Sequence, residues 1–278
     1  MRRAAIFLLI TCFTLTALAQ QSGTTSTVVK TNLSQADIDR IVKKFTANEA
    51  SFRQALSDYV FNRFATISTI GLGGQITGVY RRDSFMTLNQ DGTRFEKVLF
   101  APTTTLTEIT VTPEDLEDLG GVNPFALEPK VIDQYNINFV GTEHIDELDL
   151  YVFDVTPKVI PDPKRTKLRL FTGRIWVDKD DLMIVKSRGK AVPETKENKF
   201  PIVETTRDMV DGKYWFPVDA RADDELVFNS GQVVKIRMRV RYTNYKVGRS
   251  EVRVLDDVPE PSPTPTPKPS PTPSEPSE

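Results

Sequence analysis

Cysteine and histidine are almost absent from this chain, which has one of each among 278 residues. Cys12 lies in an apolar N-terminal segment that we expect to be removed, so the remaining chain has no disulfide, no thiolate nucleophile and no cysteine ligand for a metal. A lone histidine such as His144, close to Glu143 and Asp146, is typical of a solvated turn between strands. The sequence therefore predicts no catalytic residue, no metal and no cofactor, and a protein that is not an enzyme.

Three motifs resemble chemical sites but have simpler interpretations. Asp178, Asp180 and Asp181 lack the full ligand series and the glycine of a calcium-binding loop, which favours a hairpin turn. The acidic run at 223–225 would point alternately to opposite faces of a strand, which favours a solvated edge over a catalytic carboxylate pair. The glycine-rich run at 71–74 has no following Lys-Ser or Lys-Thr, which favours a β-turn over a phosphate loop.

The N-terminal segment has the layout of a cleavable secretory signal. Arg2 and Arg3 precede an apolar run that ends in the small-residue pattern "ALA". Because this run is shorter than the roughly 18 residues of a membrane-spanning helix, we expect cleavage after Ala19. The mature protein would then be periplasmic or secreted and peripheral to the membrane. A lipid anchor on Cys12 is the less favoured alternative.

No excess of basic residues is present. The chain has 36 Lys and Arg against 38 Asp and Glu, for a net charge of −2, and loss of Arg2 and Arg3 with the signal makes it −4. A general nucleic-acid binder normally carries a basic excess, so we expect no nucleic acid among the partners.

The C-terminal stretch "VPEPSPTPTPKPSPTPSEPSE" has a proline at nearly every second position from Pro259 to Pro273. Proline lacks a backbone N–H and fixes φ, so this stretch predicts an extended spacer without helix or sheet. This stretch has two possible roles. It is a spacer or binds a proline-recognising partner, or it is a solubilising tail without a partner.

Composition divides the chain into four parts. Residues 1–19 are the predicted signal peptide, 20–33 a disordered lead-in and 257–278 the disordered proline-rich tail. Residues 34–256 are enough for one large β-rich domain.

This domain begins with a predicted helix from Gln35 to about Ser57. Ser34 is a suitable N-cap, and Asp37 three residues later resembles a capping box. An apolar stripe at helical spacing follows, which includes Ile38, Ile41, Val42, Phe45, Phe52 and Leu56. The helix therefore lies on another apolar surface.

After this helix the apolar period changes to two, which predicts ten or so antiparallel strands joined by turns such as those at 90–92, 211–212 and 229–231. A short helix beginning near Thr112 is the exception. The last strand alternates most regularly: Val234, Ile236, Met238, Val240 and Tyr242 point one way, and Lys235, Arg237, Arg239 and Arg241 the other. We interpret the basic side as an outer charged face, with a surface for acidic lipid head groups as the alternative.

One long helix cannot cover the apolar face of so many strands in the usual helix layers. The sheet must therefore curl upon itself or keep a cavity. Trp176, Trp215, Phe216 and Tyr242 would either line that cavity or fill an ordinary core, and the sequence leaves both open.

Three stretches carry a resemblance to a known family: "GRIWVDKDDLMIVKSRGKA", "NKFPIVETTRDMVDGKYWFPVDARADDELVF" and "IRMRVRYTNYK". They resemble the LolA/LolB-like superfamily of periplasmic lipoprotein-sorting proteins, and more closely the secreted outer-membrane lipoprotein-sorting-like group. The resemblance implies an α+β, mainly β fold. A strongly curved antiparallel sheet would form an incomplete barrel, with an N-terminal helix and short helices covering its concave face.

The same resemblance implies a cavity that takes acyl chains. The residues expected to bind such a ligand are Phe45, Phe52, Ile175, Trp176, Trp215, Ile236, Met238, Val240 and Tyr242. The expected partner is a lipid or an acylated lipoprotein, held by apolar burial in a carrier or sensor. The alternative is a structural protein of the cell envelope that docks protein partners through a sheet edge or the proline-rich tail.

Overall fold

The computed structural model describes residues 27–112, 115 and 127–248. Within these residues the fold is mainly β, with ten strands, one long helix and one short helix. In chain order the elements are α1 (Gln35–Ser57), β1 (Tyr59–Ile70), β2 (Ile76–Leu88), β3 (Arg94–Phe100), α2 (Pro129–Ile132), β4 (Tyr135–Ile145), β5 (Leu148–Pro157), β6 (Leu170–Asp178), β7 (Ile184–Val192), β8 (Val203–Val210), β9 (Tyr214–Val227) and β10 (Val233–Val247).

Several predicted segments lie outside the described residues. They are the signal peptide, the first half of the lead-in (20–26), the short helix beyond Thr112 except for Asp115, and the proline-rich tail. In the part that is described, none of the helices combines the length and the apolar character needed to cross a membrane.

The predicted N-terminal helix is confirmed with its cap. The Ser34 hydroxyl accepts a hydrogen bond from the Asp37 amide at 3.2 Å and donates one to the Asp37 carboxylate at 2.7 Å. This hydroxyl is the main cause of a lowered pKa at Asp37. At the other end the Arg94 guanidinium donates to the carbonyl oxygens of Leu56 and Tyr59, both at 2.6 Å. The bond to Leu56 caps a carbonyl of the last helical turn, and the bond to Tyr59 holds the start of β1.

All ten strands belong to one antiparallel sheet in the order β3-β2-β1-β10-β9-β8-β7-β6-β5-β4. β3 and β4 form its two edges, so the sheet is not closed into a barrel. The longest-range pairing joins β1 to β10, from Tyr59 opposite Val247 to Ile70 opposite Lys235. This pairing unites the N-terminal meander β1–β3 with the C-terminal meander β4–β10.

Turn chemistry fixes the hairpins where the sequence predicts them. Asp211 and Gly212 both have positive φ, 53° and 65°, as a tight two-residue hairpin requires. In the β6–β7 turn the Asp178 carboxylate accepts hydrogen bonds from the amides of Asp180 and Asp181 at 3.0 and 3.1 Å. The acidic run at this turn therefore satisfies its own backbone.

The helix α1 packs across the apolar face of the sheet. The Phe45 ring lies 5.8 Å from that of Phe153 on β5, and the Phe52 ring lies 5.7 Å from that of Phe216 on β9. The alternation predicted for β10 is confirmed: its apolar residues from Val234 to Tyr242 are buried and the basic residues between them are exposed.

One local prediction differs from the structure and another agrees with it. The acidic run at 223–225 lies beyond the last pair of β8 with β9, Glu204 opposite Arg221, so it pairs with β10 alone, and Asp223 and Glu225 are exposed, as predicted for a solvated edge. There Asp223 pairs with Arg237 on the outer face at 3.1 Å. His144 lies within β4 rather than in a turn, and its Nδ1 is 3.0 Å from the Asp149 carboxylate on β5.

We expect Phe216→Ala to reduce the free energy of unfolding by about 3–5 kcal/mol, because a fully buried ring would leave a cavity between α1 and β9. Urea unfolding followed by circular dichroism measures this change. The control is Val247→Ala at an exposed end of β10, with an expected change within about 0.5 kcal/mol. Equal, small losses in both variants would contradict this view of the core.

Candidate functional site

A cavity of about 610 Å³ lies against the inner face of the sheet. Six aliphatic side chains from four strands form much of its wall: Ile67, Ile175, Ile184, Ile236, Met238 and Val240. β1 and β6 stand five places apart in the sheet, which would separate them by roughly 24 Å if the sheet were flat. The sheet must curve for both strands to line one cavity. The volume is in the range of roughly 300–1,000 Å³ typical of small-molecule sites.

Five of the nine predicted ligand-binding residues line this cavity. They are Ile175, Ile236, Met238, Val240 and Tyr242. Phe45 and Phe52 lie instead in the fully buried core beneath α1. The cavity wall is therefore formed mainly by the sheet.

The two tryptophans lie away from the cavity wall. Trp176 is next to Ile175 on β6, and successive side chains on a strand point to opposite faces. Its indole N–H donates to the Glu143 carboxylate at 2.6 Å. The indole N–H of Trp215 donates to the Asp181 carboxylate at 2.7 Å. Strand alternation was the signal that separates Ile175 from Trp176.

A buried ion pair forms a polar part of the cavity lining. Two nitrogens of Arg207, on β8, donate to the two carboxylate oxygens of Glu49, on α1, at 2.6 and 3.0 Å. The side chains are only 6% and 1% exposed, respectively. Arg207 also donates to the Ile184 carbonyl and lies over the Phe52 ring, 4.4 Å from its centre. The pair ties the helix to the sheet beside the cavity.

The sequence analysis missed this pair, although it contained a signal. Glu49 falls on the apolar stripe of α1, four residues after Phe45 and three before Phe52. A carboxylate at such a position is buried with the stripe and needs a cationic partner. Nothing local identifies Arg207 as that partner, because 158 positions separate the two residues.

An extended segment, residues 104–112, lies along the cavity and is here called the strap. Thr105 holds it to β2 through hydrogen bonds with the backbone of Val79 at 3.0 and 2.9 Å. Ile109 and Val111 pack against the buried apolar cluster that contains Met238. Residues 107–112 line the cavity, so the strap forms part of its wall.

A second polar cluster lies on the same face of the sheet, on β1–β3. Arg63 is an inward residue of β1, with 1% of its surface exposed. It donates to the Glu96 carboxylate, which also accepts from Arg82 at 2.8 and 3.0 Å and from Ser84. The hydrogen bonds from Arg82 are the main cause that lowers the Glu96 pKa to about 2. Glu96 therefore stays ionised at neutral pH.

The described residues contain no group of three or more His, Cys, Asp or Glu side chains arranged to hold a metal ion. The strands give the cavity an aliphatic wall, and besides the Glu49–Arg207 pair the charged residues of its lining are Glu108, Asp115, Lys190, Glu197 and Lys199.

Comparisons with known proteins identify remote structural similarity. No protein-family model matches the sequence, and no curated protein matches it. A crystal structure of a DUF1329 family protein from Desulfovibrio piger has 14% identity, covers 78% of this chain and 95% of that chain, and gives a TM-score of 0.38. The Pseudomonas aeruginosa MucA/MucB complex gives 11% identity, coverage of 73% and 99%, and a TM-score of 0.22. A structure of MucB with MucA(peri) has 10% identity, covers 71% of this chain and 94% of that chain, and gives a TM-score of 0.20. Similarity at this level assigns neither a family nor a function.

We expect Arg207→Met to reduce the free energy of unfolding by about 3–5 kcal/mol, because it leaves the Glu49 carboxylate buried without its main cation. The double variant Glu49→Leu, Arg207→Met should regain most of this loss, since no charge remains buried. Urea unfolding of the two single variants and the double variant gives the coupling. Arg221→Met, which removes an exposed partner of Glu204, is the control and should cost about 1 kcal/mol or less. If the loss of unfolding free energy in the double variant equals the sum of the losses in the two single variants, the coupling is contradicted.

The Glu96 cluster predicts a specific loss of stability in acid. The folded pKa of Glu96, about 2, lies below the ordinary value of 4.5. The stability that this carboxylate contributes is therefore complete above pH 4.5 and disappears as the pH falls towards 2. The difference in unfolding free energy between the wild type and Glu96→Gln should therefore shrink across this interval. Urea unfolding at several pH values measures it, and a pH-independent difference would contradict the assignment.

Proposed function

We propose that this protein is a non-enzymatic protein of the bacterial cell envelope that holds the acyl chain of a lipid or of an acylated lipoprotein. The observation that carries the proposal is the aliphatic wall of the 610 Å³ cavity. The resemblance of the sequence to lipoprotein-sorting proteins and the signal-like N-terminus of the chain agree with this role.

The chemistry of the wall favours an acyl chain over a polar metabolite. Recognition of a polar ligand requires donors and acceptors aimed at defined positions, whereas Ile67, Ile236 and Val240 offer only apolar surface. The two most deeply buried charges of the lining, Glu49 and Arg207, are already bound to each other. Burial of a flexible hydrocarbon contributes roughly 25 cal/mol per Å² without directional contacts. Met238 has an unbranched side chain that adapts to chains of different shape.

A second candidate function is docking of a protein partner along β3. This strand is one edge of the sheet, and Phe95, Val98, Leu99 and Phe100 are about half exposed along it. Exposed edges accept an additional strand through backbone hydrogen bonds. The cavity favours the first candidate, since docking at an edge does not require a hollow interior.

Native mass spectrometry with lipid extraction tests the first candidate. The chain from residue 20 to 278, purified from a bacterial periplasm without detergent, should carry an acylated species. Ile236→Trp places a large ring in the cavity and should lower the bound fraction at least tenfold. Val247→Trp adds the same ring at an exposed position of the same strand and should leave binding unchanged.

Circular dichroism of both variants establishes that they fold. A wild-type protein that is free of lipid and also fails to take up a fluorescent fatty acid would contradict the carrier or sensor role. That result would favour the β3 edge as the functional surface.

A further inference from the structure

Arg63 has hydrogen-bonding capacity that the described residues leave unused. One of its nitrogens, Nη2, donates to Glu96. Nε and Nη1 are buried and have no hydrogen-bond partner within the described ranges. Buried donors are nearly always satisfied in folded proteins, because leaving one unpaired removes its bonds to water without replacement. Acceptors from outside these residues would satisfy these nitrogens, one on each edge of the guanidinium.

The Tyr80 hydroxyl adds a third unused group in the same place. Tyr80 lies on β2 opposite Ile67, and its hydroxyl is buried without a hydrogen bond to any described residue. The positive charge of Arg82 acts on it, but no hydrogen bond of normal geometry joins the two side chains. Its O–H is available to donate to an acceptor held by the arginines.

The charges of the cluster do not balance. Arg63 and Arg82 are two cations that share the single carboxylate of Glu96. That carboxylate is fully used: one oxygen accepts from Arg63, Arg82 and Ser84, and the other accepts from Arg82. The nearest acidic residue in sequence, Asp83, points to the opposite face of β2 and pairs with Arg81 at 2.6 Å. One positive charge therefore remains uncompensated in a largely buried setting, which favours an anion.

The cluster adjoins residues of the cavity wall and is partly exposed to solvent at Arg82 and Glu96. Arg63 is the cross-strand neighbour of Tyr242, which lines the cavity, and Ile67 on the same strand also lines it. Arg82 and Glu96 are 24% and 27% exposed. An anion can therefore approach Arg82 from the surface, at a position next to strands that line the cavity.

We propose that Arg63, Arg82 and Tyr80 form an oxyanion site that takes a phosphate or carboxylate group. Guanidinium groups suit both, because they are permanently charged and donate charge-assisted hydrogen bonds to anionic oxygens. In an acyl ligand this group is the anionic head, and its chain occupies the cavity. The assignment as a head-group site rests on the proposed function; the oxyanion site itself also accommodates a free anion.

The test compares three ligands with the same twelve-carbon chain: dodecyl phosphate, laurate and uncharged dodecanol. Their affinities are measured by displacement of Nile red from the wild type. The two anions should bind about ten- to hundredfold more tightly than dodecanol, as charge-assisted hydrogen bonds allow. Arg63→Met should abolish this ratio and leave dodecanol binding unchanged. The matched control, Arg81→Met, removes an arginine from the outer face of β2 and should keep the ratio.

A parallel measurement records the thermal unfolding midpoint with inorganic phosphate. Stabilisation of the wild type but not of Arg63→Met indicates a site for free anions, whereas an effect of dodecyl phosphate alone indicates a head-group site. An anion preference that survives in Arg63→Met would overturn the proposal, as would the absence of both the preference and the phosphate effect. If dodecanol binds without any anion preference, only this inference fails. If no twelve-carbon ligand binds, the proposed function fails, and the phosphate result alone decides the oxyanion site.

If Arg63→Met does not fold, Arg63→Lys tests the same role of Arg63 in anion binding. It keeps the charge but loses the forked donors, so the preference for anions should fall without disappearing. Tyr80→Phe removes only a hydroxyl and should weaken the binding of both anions with little effect on stability. An unchanged preference in both of these variants would equally overturn the proposal.

Discussion

The inner face of the sheet is wider than the single long helix can cover, and much of the structure follows from this constraint. Apolar residues run along the inward side of most strands, so exposure of the whole face would be unfavourable. Curvature brings distant strands such as β1 and β6 around one space. α1 fills part of that space with Phe45 and Phe52. The cavity is the part that the helix leaves, with the strap along it.

Charged residues on this face are compensated in two different ways. Glu49 and Arg207 are matched one to one, in a geometry that satisfies both carboxylate oxygens. Such a pair fixes the helix in one position, because any displacement separates buried charges. The Arg63 cluster has two cations for one carboxylate and unused donors. The first arrangement is complete in itself and the second is not, which is why they suggest different roles.

Local patterns were sufficient to predict most elements of the fold. The Ser34 cap, the acidic turn after β6 and the alternation of β10 are signals carried by neighbouring residues, and each has the predicted outcome. The open sheet also agrees with the expectation from the family resemblance. Strand order and pairing such as β1 with β10 depend on residues far apart in the chain, and local periodicity does not specify them.

The site was harder to predict because it depends on which face each strand turns inward. The sequence suggested both Ile175 and Trp176, but only Ile175 lines the cavity, and the register of β6 decides between the two neighbours. Arg63 has no distinguishing feature in the sequence, since an arginine among apolar residues is also typical of an outer face. Its burial becomes evident only when β1 is paired with β2 and β10.

The same contacts indicate which element moves if a chain enters the cavity. α1 is held by the Glu49–Arg207 pair, by two hydrogen bonds from Asn48 to backbone carbonyls of the β6–β7 turn and by Arg94 at its end. Its displacement would break these bonds and expose Phe52. The hydrogen bonds that hold the strap at Thr105 are at exposed positions, where water replaces them at small cost. Under the proposed function any opening therefore starts at the Thr105 end of the strap, since Ile109 and Val111 are packed against the buried apolar cluster, and the helix remains part of the wall.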